Sequence, residues 1–282
     1  MPHMLRNVLA GVLPAEEASQ VYSAFDQVGD IVIIKIPDGL ASKKQVIAEA
    51  ILANVKTAKA VFAQASAVKG DYRIRELEFV AGEDRTVTEY KEHGCRFRVD
   101  VARAYFSPRL STERQRIASL VQDGETVVNM FAGIGTYSVI IAKMVKTCKV
   151  YSIDSNPMAN DLCIQNAKLN KVADRVMPVC ADATEAIESQ LAGVADRVIM
   201  PLPERAREFV GPAVLALKEG RDGIVHYFAH VKADGKQKAR EAGTKDAAEA
   251  FSPYKNEITE TTIVREVGPR IYQIVADVQI TK

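Results

Sequence analysis

Short apolar runs and longer segments with helical spacing alternate along the second half of the chain. From Glu125 onward, each run rich in valine and isoleucine is followed by a segment in which apolar residues recur at helical intervals. This alternation predicts a doubly wound α/β domain with a mainly parallel sheet and right-handed crossovers. The predicted strands are 125–129, 149–153, 175–180, 196–200 and 223–229, and the predicted helices are 136–146, 157–169, 183–191, 204–218 and 235–250.

The chain closes with two further strand-like runs, 260–265 and 271–277, and the turn between them contains Gly268 and Pro269. This pattern predicts a C-terminal β-hairpin. In the helix that follows the second strand, Asn156 and Pro157 are expected at the N-cap and first helical positions, which these residue types favour.

Residues 1–106 lack the regular alternation and predict a small α+β domain with antiparallel pairing. The domain boundary is placed between residues 106 and 107, so the α/β domain covers 107–282. A helix is expected from Ser111 or Thr112, capped by a hydroxyl, through Leu120. In the small domain, helical patterns cover 15–28 and 43–55, and strand-like patterns cover 30–36, 60–62, 72–80, 86–90 and 95–101.

Composition indicates a globular protein, since 48% of the 282 residues are hydrophobic and 26% are charged. The four cysteines are far apart and predict buried free thiols, without a zinc site or a disulfide framework. No apolar run is long enough to span a membrane, and the N-terminus does not have the pattern of a signal peptide. We therefore expect a cytoplasmic protein with no membrane association.

A glycine-containing loop follows the first strand of the α/β pattern. Gly133 and Gly135 allow a sharp turn and close approach of a ligand, and the next helix directs free N–H groups at that ligand. The following strand ends on Asp154, nineteen residues beyond Gly135, where a carboxylate can accept hydrogen bonds from a ribose. Because Ser138 occupies the position of the third glycine in the dinucleotide fingerprint, NAD is not favoured.

The loop Phe-Ala-Gly-Ile-Gly resembles the first motif of class I S-adenosyl-L-methionine methyltransferases, a Rossmann-like fold that ends in a hairpin. More specifically, five segments resemble the archaeal and eukaryotic tRNA (guanine-37-N1)-methyltransferases. The resemblance runs from about Gly29 to the C-terminus, and the N-terminal tRNA-elbow domain of some members is expected to be missing. The segments are 105–114, 130–135, 154–159, 166–170 and 197–203.

This resemblance implies a set of cofactor-binding residues. Asp154 would bind the ribose hydroxyls, Asp182 the adenine amino group and the Ala183 N–H the adenine ring. The alternatives are a solvated acid at Asp154 and a helix N-cap at Asp182. Arg114 would reach the cofactor, although an arginine in the first turn of a helix can equally be solvated. The remaining positions implied are Phe131, Ala132, Gly133, Gly135, Ser155 and Pro201.

The resemblance also implies the chemistry of methyl transfer to N1 of guanosine 37, next to the tRNA anticodon. Glu113 matches the general base, and Arg73 or Arg75 would stabilise charge on O6. Glu113 could instead be a helix-capping residue. Two arginines that alternate on one strand share a face, so the sequence does not separate Arg73 from Arg75.

The chain departs from the family pattern at Pro201, where Asn-Leu-Pro is replaced by Pro-Leu-Pro. Proline lacks the amide that would help to hold the target base and the cofactor. Two alternatives stay open. One is transfer of an aminocarboxypropyl group from the same cofactor, as in the related enzyme of wybutosine synthesis, and the other is a non-catalytic tRNA-binding protein.

A run of arginines near the domain junction suggests a groove for RNA. Six arginines face two acidic residues between positions 96 and 116, and Phe97, Tyr105 and Phe106 are interleaved. A solvated charged surface is the alternative. His226 and His230 have the spacing of a metal pair, but a core position is favoured, and neither a metal nor an oligomer is expected. The residues assigned to RNA are Arg96, Arg98, Arg103 and Arg109.

Overall fold

The structure, a computed structural model, describes residues 8–9, 11–21, 25–65 and 76–282. The chain divides into two compact units, Met1–Pro108 and Arg109–Lys282.

The first unit contains a four-stranded sheet and a separate β-hairpin. Its strands are paired in the order β1-β2-β3-β4, and only β2 and β3 are parallel. The hairpin consists of the antiparallel strands β5 and β6. The elements are α1 (Ala15–Gln20), β1 (Asp26–Val28), β2 (Ile31–Ile34), α2 (Lys44–Asn54), β3 (Ala60–Gln64), β4 (Leu77–Gly82), β5 (Val87–Glu92) and β6 (Cys95–Asp100).

The hairpin is joined to the sheet by an ion pair. Arg85 donates to both oxygens of Asp30, at 3.0 and 2.6 Å, and the Thr88 hydroxyl donates to the same carboxylate at 2.7 Å. Beneath the sheet, Ile47 and Ile51 of α2 belong to a core cluster with residues of β2 and β3. An isolated helix of this length is marginally stable in water, so burial of its apolar face stabilises α2.

The prediction of one helix over 15–28 is wrong. The helix ends at Gln20, and Asp26–Val28 pairs with β2 as a strand. Residues 22–24 lie outside the described part of the chain. Val28 is buried by its pairing with Ile31, which shows that cross-strand contacts outweigh a local helical pattern here.

The second unit is a seven-stranded sheet in the order β12-β13-β11-β10-β7-β8-β9. Strands β7 to β11 are parallel, while β13 is antiparallel to β11 and β12 is antiparallel to β13. The doubly wound fold and its C-terminal hairpin are therefore confirmed. The elements are α3 (Ser111–Leu120), β7 (Thr126–Asn129), α4 (Thr136–Met144), β8 (Lys149–Asp154), α5 (Pro157–Leu169), β9 (Val176–Cys180), α6 (Ala183–Ala186), β10 (Arg197–Met200), α7 (Val210–Ala216), β11 (Gly223–Lys232), α8 (Lys236–Ala250), β12 (Asn256–Gly268) and β13 (Ile271–Ile280).

The strand order determines where a ligand can bind. Strands β8 and β9 lie to one side of β7 and β10 lies to the other, so the chain reverses direction across the sheet at β7. In open α/β sheets, ligands bind beyond the carboxyl ends of the strands at such a point. At one of these ends, the Asn156 side chain accepts a hydrogen bond from the Met158 N–H at 3.0 Å and Pro157 begins α5, as predicted.

Several boundaries differ from the predictions. The stretch 183–191 forms α6 and then a π-helical turn, Ile187–Leu191, and 204–218 forms a 3₁₀ turn, Ala206–Phe209, followed by α7. Because a 3₁₀ turn over Pro108–Leu110 leads into α3, the N-cap position is Leu110 and the predicted hydroxyl cap is wrong.

Three of the four cysteines are buried free thiols, whereas Cys180, the last residue of β9, is exposed. Within the described ranges, no helix has the length and apolar character needed to cross a membrane.

Candidate active site

The glycine loop after β7 is held in place by Asp154 at the end of β8. The Gly133 N–H donates to Asp154 Oδ2 at 2.7 Å, and the Ala132 N–H donates to the Ile153 carbonyl at 2.8 Å. Gly135 has a φ of +82° and is the N-cap of α4, a position at which it offers no side chain to the first turn of the helix. The loop is therefore shaped by its own backbone before any ligand binds.

Packing also requires glycine at position 135. A Cβ atom at this position would lie 2.5 Å from the Sγ atom of Cys163 on α5. This close approach brings α5, which begins just after Asp154, against the loop. The sequence predicted the turn but not this second reason for the glycine.

Asp154 is an acceptor with spare capacity. Its Oδ1 accepts the Asn156 N–H at 2.9 Å and its Oδ2 accepts the Gly133 N–H, while burial raises the pKa of the carboxyl and these two bonds oppose the rise. An ionised carboxylate has about four lone-pair sites, so sites remain for the two hydroxyls of a ribose. The residue is integrated in the loop and is not a freely solvated acid.

At the end of β9, Asp182 is the N-cap of α6. Its Oδ1 accepts the N–H groups of Thr184 and Glu185 at 2.8 and 3.3 Å, so the capping alternative is confirmed as a contact. Ala183 is buried behind it, and Ser155, after β8, is exposed. The adenine role of Asp182 stays a prediction, since a capping carboxylate still has an oxygen available.

The remaining predicted cofactor positions also follow strand ends. Phe131, after β7, packs edge to face against Phe209 with ring centroids 4.8 Å apart. Pro201 directly follows β10 and is half-buried. The four loops after β7, β8, β9 and β10 thus lie at the same carboxyl edge of neighbouring parallel strands.

Glu113 lies in the first turn of α3 with only 4% of its surface exposed. Its carboxylate accepts hydrogen bonds from Arg116 Nε and Nη2 at 2.8 to 3.0 Å, and none of its contacts caps the helix. The capping interpretation is therefore wrong. Burial raises the pKa of Glu113, and the Arg116 guanidinium opposes this rise.

Arg116 continues into a buried polar network that the sequence did not reveal. It donates to both oxygens of Asp277, whose Oδ1 lies 2.6 Å from His226 Nδ1. Arg197 donates to His226 Nε2 at 2.9 Å, so the imidazole carries its hydrogen on Nδ1. Burial lowers the pKa of His226 and keeps the ring neutral.

The first of the two histidines lies in the core, as predicted. His226 is fully buried, and Asp277 accompanies it in the polar network. His230 is half-buried on the same strand. Within residues 8–9, 11–21, 25–65 and 76–282, no group of three or more histidine, cysteine or acidic side chains could bind a metal.

The predicted arginine groove is smaller than the sequence suggested. Arg114 is only 2% exposed, so the solvated interpretation of this residue is wrong, and Arg116 is engaged by two carboxylates. Phe97 is buried on the inward face of β6, and Phe106, beyond the end of that strand, is buried and packs edge to face against Tyr90, so neither is available for stacking on bases. Arg96, Arg98, Arg103 and Arg109 are exposed.

Arg96 forms a bidentate pair with Glu89 across the hairpin, at 3.0 and 2.5 Å. The predicted O6 donors, Arg73 and Arg75, lie outside the described residues. Their placement therefore stays a prediction.

Two family models match consecutive parts of the chain. Residues 88–251 match the TRM5/TYW2 methyltransferase domain, and residues 5–86 match the TYW2 N-terminal domain. The first match alone covers more than half of the chain.

Similar proteins include tRNA (guanine(37)-N(1))-methyltransferase Trm5b of Pyrococcus abyssi, which is 38% identical over 95% of this chain and 78% of that protein. The tRNA 4-demethylwyosine(37)-methyltransferase Taw21 of Saccharolobus solfataricus is 35% identical over 94% of this chain and 96% of that protein.

Among solved structures, the complex of aTrm5 with tRNALeu superimposes with a TM-score of 0.85 at 35% identity, covering 98% of this chain and 78% of that one. Other similar structures contain adenosine, MeSAdo or AdoMet. From its fold, its strand-end site and these matches, the chain belongs to the TRM5/TYW2 methyltransferase family.

Proposed function

We propose that the protein is an enzyme that transfers the methyl group of S-adenosyl-L-methionine to N1 of guanosine 37 in tRNA. The observation that carries this proposal is the strand-end site braced by Asp154, with the buried carboxylate of Glu113 in the same unit of a methyltransferase family member. The name of the Pyrococcus abyssi relative supports the choice of base and atom.

The residues present fit S-adenosyl-L-methionine. Asp154 has acceptor sites left for the ribose, and the uncapped N-terminus of α4 suits the carboxylate of the methionine part. Gly133 and Gly135 let the backbone approach the ligand, while Phe131, Ala132, Ser155, Asp182, Ala183 and Pro201 supply the surrounding surface. When bound, the cofactor supplies a methyl group on a positively charged sulfur.

Glu113 accepts the proton from N1 of guanine as methylation proceeds. A buried carboxylate with a raised pKa is a stronger base than an exposed one, and proton transfer of this kind contributes about 10²–10⁴-fold to rate. Arg73 or Arg75 stabilises the charge that develops on O6. Arg114, which follows Glu113 in the sequence and is also buried, helps to hold the cofactor.

The first domain, residues 1–106, positions the RNA, and residues 107–282 form the catalytic domain. Exposed Arg96, Arg98 and Arg103 support phosphate binding, and Arg109 belongs to the second unit. The substrate region is the anticodon loop, the enzyme acts as a monomer, and the cytoplasm is where its tRNA substrate is found. The assignment of phosphate binding rests on the charge of the exposed arginines, and that of the anticodon region rests on the family.

A second candidate reaction, in which the substrate is a modified guanosine at position 37, is favoured by the family match of the N-terminal residues. Residues 5–86 match the TYW2 N-terminal domain, and similar proteins include an aminocarboxypropyltransferase of Methanocaldococcus jannaschii and the Saccharolobus solfataricus methyltransferase, both named for 4-demethylwyosine 37. Pro201 stands where the family has an asparagine that helps to hold the target base. The surroundings of the base therefore differ from the family pattern at this position. Modified guanosine is therefore the alternative substrate.

The proposal is tested with purified protein, methyl-labelled cofactor and tRNA transcripts that carry guanosine or adenosine at position 37. Label should enter only the transcript with guanosine 37. Equal labelling of both transcripts would assign the activity to another position, and labelling of neither, with tRNA that carries 4-demethylwyosine labelled instead, would select the second candidate.

A further inference from the structure

The Arg116 guanidinium is clamped between two carboxylates. Its Nε and Nη2 atoms donate to Glu113 at 2.8 to 3.0 Å, and its Nη1 and Nη2 atoms donate to Asp277 at 2.7 and 3.1 Å. Both contacts are bidentate, the geometry in which arginine fixes a carboxylate most rigidly. Glu113 is thereby held through Arg116 to strand β13 as well as to its own helix.

The same network reaches the other end of α3. From Asp277 it passes through His226 to Arg197, which donates to the Leu120 carbonyl at 2.9 Å and to Glu125 at 2.7 and 2.9 Å. Leu120 is the last residue of α3, and Glu113 lies in its first turn. One chain of hydrogen bonds therefore fixes both ends of a ten-residue helix against the sheet.

We infer that Arg116, held by Asp277 and His226, is a positioning residue that orients the Glu113 carboxylate and keeps it ionised for proton abstraction. This role rests on the proposed function, because it assumes that Glu113 is the base. The N–H groups of Arg116 donate to the two carboxylates, so Arg116 acts on catalysis through Glu113.

The charges around Glu113 act in opposite directions. Burial raises its pKa, the hydrogen bonds and charge of Arg116 lower it, and the negative charges of Asp277 and Glu260 raise it again. Glu260 of β12 lies 3.8 Å from Arg116 and is exposed, so solvent weakens its influence. The balance between Arg116 and Asp277 sets how readily Glu113 takes a proton.

Two substitutions should therefore shift the pKa of Glu113 in opposite directions. Arg116→Gln removes the cation, so the pKa of Glu113 rises. Asp277→Asn removes a neighbouring anion while its amide oxygen can still accept from His226 Nδ1, so the pKa of Glu113 falls. A merely structural role for the network would reduce activity in both variants without opposite shifts.

The test is the pH dependence of single-turnover methylation in the full-length protein. The acidic limb should move to higher pH in Arg116→Gln and to lower pH in Asp277→Asn, and a displacement of about one pH unit corresponds to about tenfold in rate below the limb. Arg207→Gln is the matched control, because Arg207 also bridges two carboxylates, Asp246 and Glu249, but at the surface. Its limb should coincide with that of the wild type.

The carboxyl carbon-13 signal of Glu113, assigned by its absence in Glu113→Gln, gives a readout independent of activity. Its titration midpoint should move in the same two directions as the kinetic limb. If Arg116→Gln does not fold, the direction in which the Glu113 midpoint moves is still tested by Asp277→Asn, in which the midpoint should fall. Arg116→Lys, which retains the cation, is compared with it. A midpoint that stays fixed, or moves the same way in Arg116→Gln and Asp277→Asn, overturns the inference.

The two proposals fail differently. Methylation with an unmoved acidic limb would reject the role of Arg116 and leave the proposed function intact. A protein that methylates no tRNA, but in which the Glu113 signal shifts as described, would reject the function while confirming that Arg116 and Asp277 control the ionisation of Glu113.

Discussion

Asp154 braces the glycine loop through both oxygens of its carboxylate, and we propose that the remaining lone pairs bind a ribose. We predict that Asp154→Ala weakens the binding of S-adenosyl-L-methionine at least tenfold, because hydrogen bonds to a charged group contribute about 1.5–3 kcal/mol each. Calorimetric titration of the purified variant measures the loss.

Asp154→Asn is the control for that experiment, because its amide oxygen still accepts one backbone N–H. It should retain more affinity than Asp154→Ala. Unchanged affinity in a folded Asp154→Ala variant would remove Asp154 from the cofactor site.

Glu113 should act as a base only when it is ionised. Glu113→Gln keeps the shape of the side chain, so it should slow single-turnover methylation by about 10²–10⁴-fold and leave the affinity for tRNA nearly unchanged. In the wild type, the rate should rise with pH through the pKa of Glu113, and burial places this rise above the usual range of a glutamate. Rapid-quench kinetics at several pH values measures both effects.

Some residues of the site could be predicted from their neighbours in sequence, whereas others depend on contacts between distant segments. Gly135, Asp154 and the Asn156 cap were predictable because each depends on neighbours in one strand–turn–helix unit. Asp277 was not, because its contact with His226 depends on strand register across 51 positions of sequence. The Glu113–Arg116 pair has helical spacing that the sequence shows, but its burial does not follow from spacing.

Among the packing contacts between elements, the close approach of α5 to the glycine loop leaves no room for a side chain at position 135. Gly135→Ala should destabilise the protein more than Gly124→Ala, since both have positive φ, of +82° and +79°, but only Gly135 meets another side chain. A positive φ alone costs about 1–3 kcal/mol for a residue other than glycine. Urea unfolding of both variants measures the difference.

Equal destabilisation of the two glycine variants would show that Cys163 gives way without cost. Adding Cys163→Ala to Gly135→Ala should then make little difference, whereas we expect it to recover the part of the loss caused by the contact.

The elements of the sheet were predictable because a buried parallel strand is largely a continuous apolar run, as in β10, where Arg197 is followed by the buried apolar residues 198–200. Helix beginnings were less predictable. A 3₁₀ turn before α3 moved the N-cap to Leu110, and the helical pattern over 15–28 gave way to pairing of Asp26–Val28 with β2. In both cases, contacts outside the local segment determined the outcome.

At the scale of the whole molecule, binding of tRNA depends on local patches because the net charge is only +1. If Arg98, Arg103 and Arg109 contact phosphates, affinity should fall steeply with salt, and each arginine-to-alanine change should reduce the log–log slope by roughly 0.7–0.9. Arg96 is partly neutralised by Glu89, so Arg96→Ala should reduce the slope by less than a full phosphate contact would. Filter binding at several salt concentrations measures the slopes.

A slope that none of these substitutions changes would assign the arginines to a solvated surface. The sequence predicted their exposure correctly on β6 but overestimated the aromatic component of the groove, because Phe97 is fully buried and Phe106 nearly so. Charge patterning along a strand is visible in sequence, whereas the direction in which an aromatic residue packs after the strand ends is not.

Mass analysis of the nucleosides released from tRNA, after incubation with the protein and S-adenosyl-L-methionine, shows whether the protein methylates guanosine 37. We expect 1-methylguanosine at position 37 in tRNA that starts with an unmodified guanosine. A nucleoside heavier by an aminocarboxypropyl group, or the absence of any methylated guanosine from tRNAs that the protein binds, would contradict this expectation.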